Sequence, residues 1–213
     1  MWVSFDLGRP LGTPYDAAFQ TRVLIAALRL LEASNGPVIE DFPEDAPRTE
    51  SESTVWACPI DLGPEEKDVS DLGQLRLAFK REMTQLRPWY DLALKKRGRT
   101  TVGVSGLDIE ILGDFISGFM EGNTPENPRK DLPVALVLKL AADDLKAFYI
   151  EAASGQPGQP LPGNAVLSDW FWGETVAGKV LLAVKQHSKN SDDKMLRVVG
   201  EKLIVPIAQA SRS

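Results

Sequence analysis

Apolar residues recur at intervals of three and four positions along much of the chain, the spacing of one face of an α-helix. The first such stripe follows Thr13, Pro14 and Asp16, whose order predicts an N-cap at Thr13 and a helix that begins at Pro14. Its apolar members are Phe19, Val23, Ala26, Ala27, Leu30 and Leu31. Trp2 to Leu7, before the loop that leads to this helix, predicts one short strand.

Residues 40–69 lack this periodicity. They are acidic and rich in proline, serine and threonine, a composition typical of an extended connector. We therefore predict a boundary near residue 69. Residues 1–69 would form an N-terminal arm of one strand, one helix and the connector, and residues 70–213 would form the main body.

The main body carries further helical stripes and almost no alternating strand pattern. The predicted helices run from Ser70 to a stop at Gly98, from Ser105 to Gly122, from Pro133 to Ala153, from Leu167 to His187, and onward from Lys194. The fold class is therefore predicted to be mainly all-α, a bundle of about four to five helices with an N-terminal strand-loop-helix arm.

Composition narrows the classes of function. The chain of 213 residues has a formal net charge of −6, which disfavours nucleic acid and anionic lipid as partners. Its longest apolar stretch, Val134 to Leu138, is far shorter than a membrane span, and its N-terminus has no basic or long apolar run. Cys58 is the only cysteine, which excludes an internal disulfide. We expect a cytoplasmic, unanchored protein.

One predicted helix, LSDWFWGETVAGKVLLAVKQH, concentrates unusual residues. Glu174 lies in or beside the apolar stripe that contains Trp170 and Trp172, where burial would raise the pKa of a carboxyl group. With Tyr149, these residues form a candidate ligand-binding pocket. The alternative is that the tryptophans are core anchors and Glu174 a helix-start carboxylate. Exposure of Glu174 would favour that alternative.

No metal or cofactor is predicted. His187 lies 13 positions after Glu174, roughly 20 Å along a helix, so the two cannot act together. Asp144 and Glu151 share a helix face, but the Glu-x-x-His pairs of di-iron bundles are absent. No haem-attachment motif is present. Cys58 has no nearby basic residue to lower the pKa of its thiol and is interpreted as an idle thiol.

The basic stretch KKRGR precedes the helix that is predicted to begin at Ser105. Arg97 and Arg99, together with Ser105 and the free backbone donors of that helix start, form a candidate anion-binding site for a carboxylate or phosphate. The alternative is that these cations only complement the C-terminal end of the preceding helix dipole. An RNA-binding role is disfavoured, because no aromatic residues are interleaved with the basic ones.

Phe5 to Pro47, FDLGRPLGTPYDAAFQTRVLIAALRLLEASNGPVIEDFPEDAP, resembles the C-terminal part of selenoprotein B-like proteins of the glycine, betaine, sarcosine and D-proline reductases. The segments LRPWYDLALKKRGRTTVGVSGL and DLKAFYIEAASGQPGQP are similar to downstream parts of the same proteins. The matching residues of the first segment are Phe5, Gly8 to Gly12, Asp16, Phe19, Gln20, Arg22 to Leu24 and Gly36 to Pro47.

The resemblance implies a link to reductive cleavage of a carbon–nitrogen bond by a selenocysteine or cysteine in a large N-terminal region. That region has no counterpart here, and Cys58 lies after the matching helix, so no catalytic residue is carried over. What the resemblance implies for this chain is structural. Gly8, Gly12 and Pro14 would shape the entry to the first helix, and Arg9 would meet the carboxylates of EDFP.

Two functions are consistent with the sequence. The first is a stand-alone C-terminal module or accessory subunit related to these reductases, which acts by protein association as a homodimer or with a reductase subunit. The expected contact surfaces are an unpaired edge at Trp2 to Phe5 and an exposed apolar helix face. The alternative is an independent small-molecule-binding or enzymatic bundle that uses the pocket of Trp170, Trp172, Glu174 and Tyr149.

Overall fold

A computed structural model describes residues 1–5, 9–47, 71–155 and 163–209, and these are mainly helical. Their seven α-helices are α1 (Ala17–Arg29), α2 (Leu72–Arg97), α3 (Ile109–Gly118), α4 (Val134–Ser154), α5 (Asn164–Glu174), α6 (Val176–Lys189) and α7 (Lys194–Lys202). Short 3-10 turns cover Leu30–Glu32, Phe119–Glu121 and Ile207–Gln209. The prediction of a mainly all-α fold is confirmed.

Contacts divide the chain into an N-terminal unit, Met1–Val55 with Pro162–Asn164, and a helical unit, Trp56–Leu161 with Ala165–Ser213. The predicted boundary near residue 69 lies outside the described residues.

The N-terminal unit is built on three phenylalanine rings. The ring centroids of Phe5 and Phe19 are 5.4 Å apart, and Phe42 stands edge-on to both at 5.9 Å. Phe19 and Val23 are the fully buried residues of α1. Gly12 makes this packing possible, because it has a φ of 82° and a Cβ there would lie 2.4 Å from Phe19 Cε1.

Two predictions for the N-terminal unit differ from the structure. The N-cap of α1 is Asp16, whose side chain accepts the Phe19 N–H at 2.9 Å; the Thr13 hydroxyl instead donates to the Pro47 carbonyl. Among the described residues of Trp2 to Leu7, only Trp2 pairs, through an isolated parallel bridge to Asp41. One bridge is too short to make a strand, so residues 2–5 form no sheet edge.

The helical unit has one apolar core. The longest helices, α2 and α4, pack against each other, and α2 also packs on α6. Helix α2 continues through Pro88. It ends, as its sequence predicts, at Gly98, which has the left-handed conformation. The largest fully buried side chains of this unit are Tyr149, Phe79, Phe148, Phe171, Leu75, Leu86, Leu112, Ile116, Met120, Leu138 and Leu145.

The described part of the helical unit contains six helices, not four to five, because the helix predicted from Leu167 to His187 is two helices. The break is at Thr175, whose hydroxyl donates to the Phe171 carbonyl at 2.6 Å and accepts the Gly178 N–H at 3.0 Å. Gly178 lets α6 approach α5 closely, since a Cβ there would lie 2.3 Å from the Phe171 carbonyl oxygen. Thr175 therefore ends α5 and starts α6.

Candidate functional site

The residues of the predicted Trp/Glu pocket do not share one environment. Trp170, Trp172 and Tyr149 are buried in the core, whereas Glu174, the last residue of α5, is exposed. The Tyr149 ring centroid lies 6.3 Å from that of Trp170 and 5.4 Å from that of Phe171. This arrangement fits the alternative interpretation, in which the aromatic residues fasten α5 to the core and Glu174 faces solvent.

A different carboxylate is buried beside Tyr149 and the start of α6. Glu82 of α2 is 1% exposed and accepts the Val176 N–H at 2.9 Å and the Ala177 N–H at 3.0 Å. The Tyr149 hydroxyl donates to the same carboxylate at 2.7 Å. Glu82 thus caps the first turn of α6 from another helix and connects α2, α4 and α6.

Burial changes the acidity of both side chains of this pair. The pKa of Glu82 is raised by desolvation, although the hydrogen bonds from Val176, Tyr149 and Ala177 favour the charged form. The pKa of Tyr149 is raised well above its usual value by burial and by the neighbouring Glu82. Neither residue lines a described pocket. The hydrogen bonds from Tyr149, Val176 and Ala177 to Glu82 join three helices.

Sequence reasoning missed Glu82 because it stands within the apolar stripe of α2, beside Phe79 and Leu86. The one local signal was Thr175, a residue type that caps helices and that precedes Val176. A helix start buried in the core needs acceptors for its N–H groups, and Glu82 supplies them from 94 positions away.

The loop after α2 does bind a carboxylate, but the carboxylate belongs to the chain. Asp144 of α4 accepts the N–H groups of Gly103, Val104 and Ser105 at 2.8, 3.1 and 2.9 Å. It also accepts the Ser105 hydroxyl at 2.5 Å. The prediction of a helix that begins at Ser105 is therefore wrong, because Ser105 belongs to the loop that Asp144 holds and α3 begins at Ile109.

Glu151 holds the beginning of the same loop. Its carboxylate accepts the Thr100 hydroxyl at 2.8 Å, and the Thr101 N–H and hydroxyl at 2.8 and 2.7 Å. Arg97 and Arg99, the other members of the predicted anion site, are exposed. An external anion would have to compete with Asp144 for Ser105, so the three predicted residues do not form a ready site.

The remaining sequence candidates are not brought together. His187 is exposed in the last turn of α6, where a histidine complements the helix dipole. Cys58 lies outside the described residues. Across residues 1–5, 9–47, 71–155 and 163–209, no group of three or more His, Cys, Asp or Glu residues is arranged to hold a metal ion.

The helical unit has a surface groove of about 250 Å³ between α2 and α3, here named the α2–α3 groove. Ion pairs join the two helices beside it, Lys80 to Asp114 at 2.6 Å and Arg87 to Glu110 at 3.0 Å. The groove is lined by Lys80, Met83, Thr84, Arg87, Ile109, Glu110, Gly113 and Asp114. None of these residues was singled out from the sequence.

In the N-terminal unit, α1 has a second apolar face, here named the outer face, formed by Leu24, Leu28 and the following Leu31. These side chains are 47%, 60% and 81% exposed. At 100° per residue they lie on the side of the helix away from Phe19 and Val23. An outward row of three leucines is unusual for a helix that already buries one face.

Comparison of the chain with family models, curated proteins and solved structures finds no match. Within the described residues, no helix combines the length and apolar character that crossing a bilayer requires.

Proposed function

We propose that the chain is an association module, an accessory subunit related to the glycine- and D-proline-type reductases, and that it docks on a reductase-type partner through the outer face of α1. The observation that carries this proposal is the exposure of Leu24, Leu28 and Leu31 in one row. Complete burial of one leucine side chain stabilises an interface by about 1.5–3 kcal/mol. Three exposed leucines in one row can therefore supply much of the binding energy of a docking contact.

Charge favours a different protein over a second copy as the occupant of this face. The described residues of the N-terminal unit include six acidic side chains, Asp16, Glu32, Glu40, Asp41, Glu44 and Asp45, and three basic ones, Arg9, Arg22 and Arg29. Two copies would bring like charges together, which is unfavourable across an interface. The expected partner surface is apolar and bordered by lysine or arginine.

The resemblance of Phe5 to Pro47 supports a reductase-type partner, since α1 lies entirely within that segment. The alternative function, a ligand pocket of Trp170, Trp172, Glu174 and Tyr149, lacks comparable support. Three of those side chains are buried in packing, and Glu174 is exposed.

The test is a binding measurement between the full chain and a purified glycine- or D-proline-type reductase subunit, by calorimetry and by light scattering after size-exclusion chromatography. We expect a defined complex that Leu28→Glu weakens at least tenfold, a change of about 1.4 kcal/mol. Leu77→Glu is the matched control, because Leu77 is 65% exposed on α2 of the helical unit.

Three results would contradict the proposal. One is the absence of binding to the reductase subunit. Another is equal weakening by Leu28→Glu and Leu77→Glu, which would place the contact elsewhere. The third is a homodimer of the chain that Leu28→Glu alone dissociates, which would make a second copy the occupant of the outer face.

A further inference from the structure

The α2–α3 groove is lined by two ion pairs that join α2 to α3. Lys80 and Arg87 lie seven positions apart on α2, roughly 10 Å along the axis, and each meets a carboxylate of α3. Thr84 and Gly113 also line the groove, one with a short side chain and the other with none.

The groove has an apolar floor. Met83 and Ile109 line it beneath the ion pairs. A Cβ on Gly113 would lie 2.7 Å from the Met83 sulphur, so glycine is what lets the methionine side chain lie across α3 at this point. A hydrocarbon group of matching size would remove this apolar surface from water, which is favourable.

Arg87 and the first turn of α3 place hydrogen-bond donors at one end of the groove, beside the carboxylate of Glu110. Arg87 is oriented by two carboxylates, with Nε 3.0 Å from Asp91 and Nη1 3.0 Å from Glu110, and no hydrogen bond with another described residue occupies Nη2. Ile109 and Glu110 are the first residues of α3, and the Asp108 side chain makes no capping bond to this positive helix end.

The carboxylate that now meets Arg87 is easily exchanged. Glu110 has a side chain that is 76% exposed, and a solvent-exposed ion pair contributes little to stability. Asp91 keeps the guanidinium in place when Glu110 moves away, because it bonds a different nitrogen. A ligand carboxylate can therefore take the place of Glu110 without rearrangement of Arg87.

We propose that the α2–α3 groove binds a small carboxylic acid with an aliphatic body, whose carboxylate meets Arg87 and whose hydrocarbon part lies on Met83, Ile109 and Gly113. This site belongs to the helical unit and does not depend on the association proposed for α1. Arg87 selects the charge of the ligand, and the distance to the Lys80–Asp114 pair limits its length.

The test is a titration of the isotope-labelled full chain, followed by amide chemical shifts, with hexanoate as the probe. Hexanamide and hexylammonium are matched probes of the same length that are neutral and cationic. We expect saturable hexanoate shifts that centre on the amides of Met83, Ile109 and Gly113. Both other probes should bind at least about fivefold more weakly, because the charge-assisted hydrogen bond is lost.

Two pairs of variants locate the binding. Thr84→Leu fills the groove from an exposed position and should abolish the shifts, whereas Thr84→Ser leaves the space open and should keep them. Arg87→Gln should remove the preference for hexanoate, whereas Lys96→Gln, which removes an exposed cation from the last turn of α2, should not. Circular dichroism of each variant reports whether the fold is kept.

The proposal is overturned if hexanoate produces no saturable shifts in the groove, or if hexylammonium binds as well as hexanoate. It is also overturned if folded Thr84→Leu binds hexanoate like the unaltered chain. None of these results bears on the outer face of α1, so the two proposals fail separately.

Discussion

The Glu82 carboxylate accepts the backbone N–H of Val176 at 2.9 Å across 94 positions of sequence. The first turn of α6 begins inside the core, where its N–H groups have no access to water. A buried N–H without an acceptor is costly, so an acceptor on another helix becomes part of the fold. Glu82 therefore decides where α6 begins in space.

Replacing Glu82 by glutamine tests this role. The amide group keeps one acceptor but places an NH₂ against a backbone N–H, so one buried donor loses its partner. We expect the free energy of unfolding to fall by about 1–3 kcal/mol. Chemical denaturation followed by circular dichroism measures the loss. Glu201→Gln, at an exposed position of α7, is the control and should leave the stability nearly unchanged.

The stability difference between the unaltered chain and Glu82→Gln should also depend on pH. The folded-state pKa of Glu82 is raised above its usual 4.5, so the folded state holds the proton more tightly than the unfolded state. The contribution of this group is fully present below pH 4.5 and declines as pH rises through the raised pKa. Protonation is tolerated, because Tyr149 can reverse its hydrogen bond and accept.

Chemical denaturation of the unaltered chain and of Glu82→Gln at a series of pH values from 4.5 upward tests the direction of this pH dependence. The advantage of the unaltered chain over Glu82→Gln should shrink as the pH rises. An advantage that grows with pH would mean that the three hydrogen bonds outweigh desolvation and that the pKa of Glu82 is lowered.

Asp144→Asn should release the loop that follows α2. Asparagine has one acceptor oxygen for a site where Asp144 receives three backbone N–H groups and the Ser105 hydroxyl. We expect a loss of about 1–3 kcal/mol, with faster hydrogen exchange at residues 103–105. Asp143→Asn is the control, since Asp143 forms partly exposed ion pairs with Lys139 and Lys146. Equal effects of the two substitutions would contradict the buried role of Asp144.

Gly178→Ala should destabilise the contact between α5 and α6. The added methyl group would lie 2.3 Å from the Phe171 carbonyl oxygen, and a backbone atom cannot move aside cheaply. Crowding of this kind costs about 1–3 kcal/mol, measurable by thermal or chemical denaturation. Gly98→Ala is a useful comparison, because its surroundings are open and only its φ of 66° opposes alanine. A loss for Gly178→Ala below that for Gly98→Ala would indicate that α5 and α6 can separate.

The sequence predicted most of the helical fold from local information. Apolar spacing predicted α2 and α4. Gly98 marked the end of α2, and Pro133 placed the start of α4 within one residue of Val134. These features depend on residues within a few turns of one another. The outer face of α1 was not predicted in the same way: of its three leucines only Leu31 belonged to the helical stripe read from the sequence, and it is exposed.

Tertiary contacts determined the helix starts and breaks that the local sequence did not predict. Thr13 and Ser105 are both good N-cap residues by type, but their hydroxyls bond Pro47 and Asp144, which lie 34 and 39 positions away. The pattern of Trp170 to Val184 continues through Thr175, so periodicity alone predicted one helix where the packing of Gly178 on Phe171 requires two.

The carboxylates show most clearly which features the local sequence determined and which the tertiary structure decided. Glu174 drew attention because its local pattern placed it beside tryptophans, yet it is exposed at the end of α5. Glu82 and Asp144 drew less attention and are the buried acceptors. Local sequence determined which segments become helices, because helical spacing is a property of neighbours. Only the tertiary structure decided which carboxylates are buried, because a buried charge requires donors that arrive from distant segments.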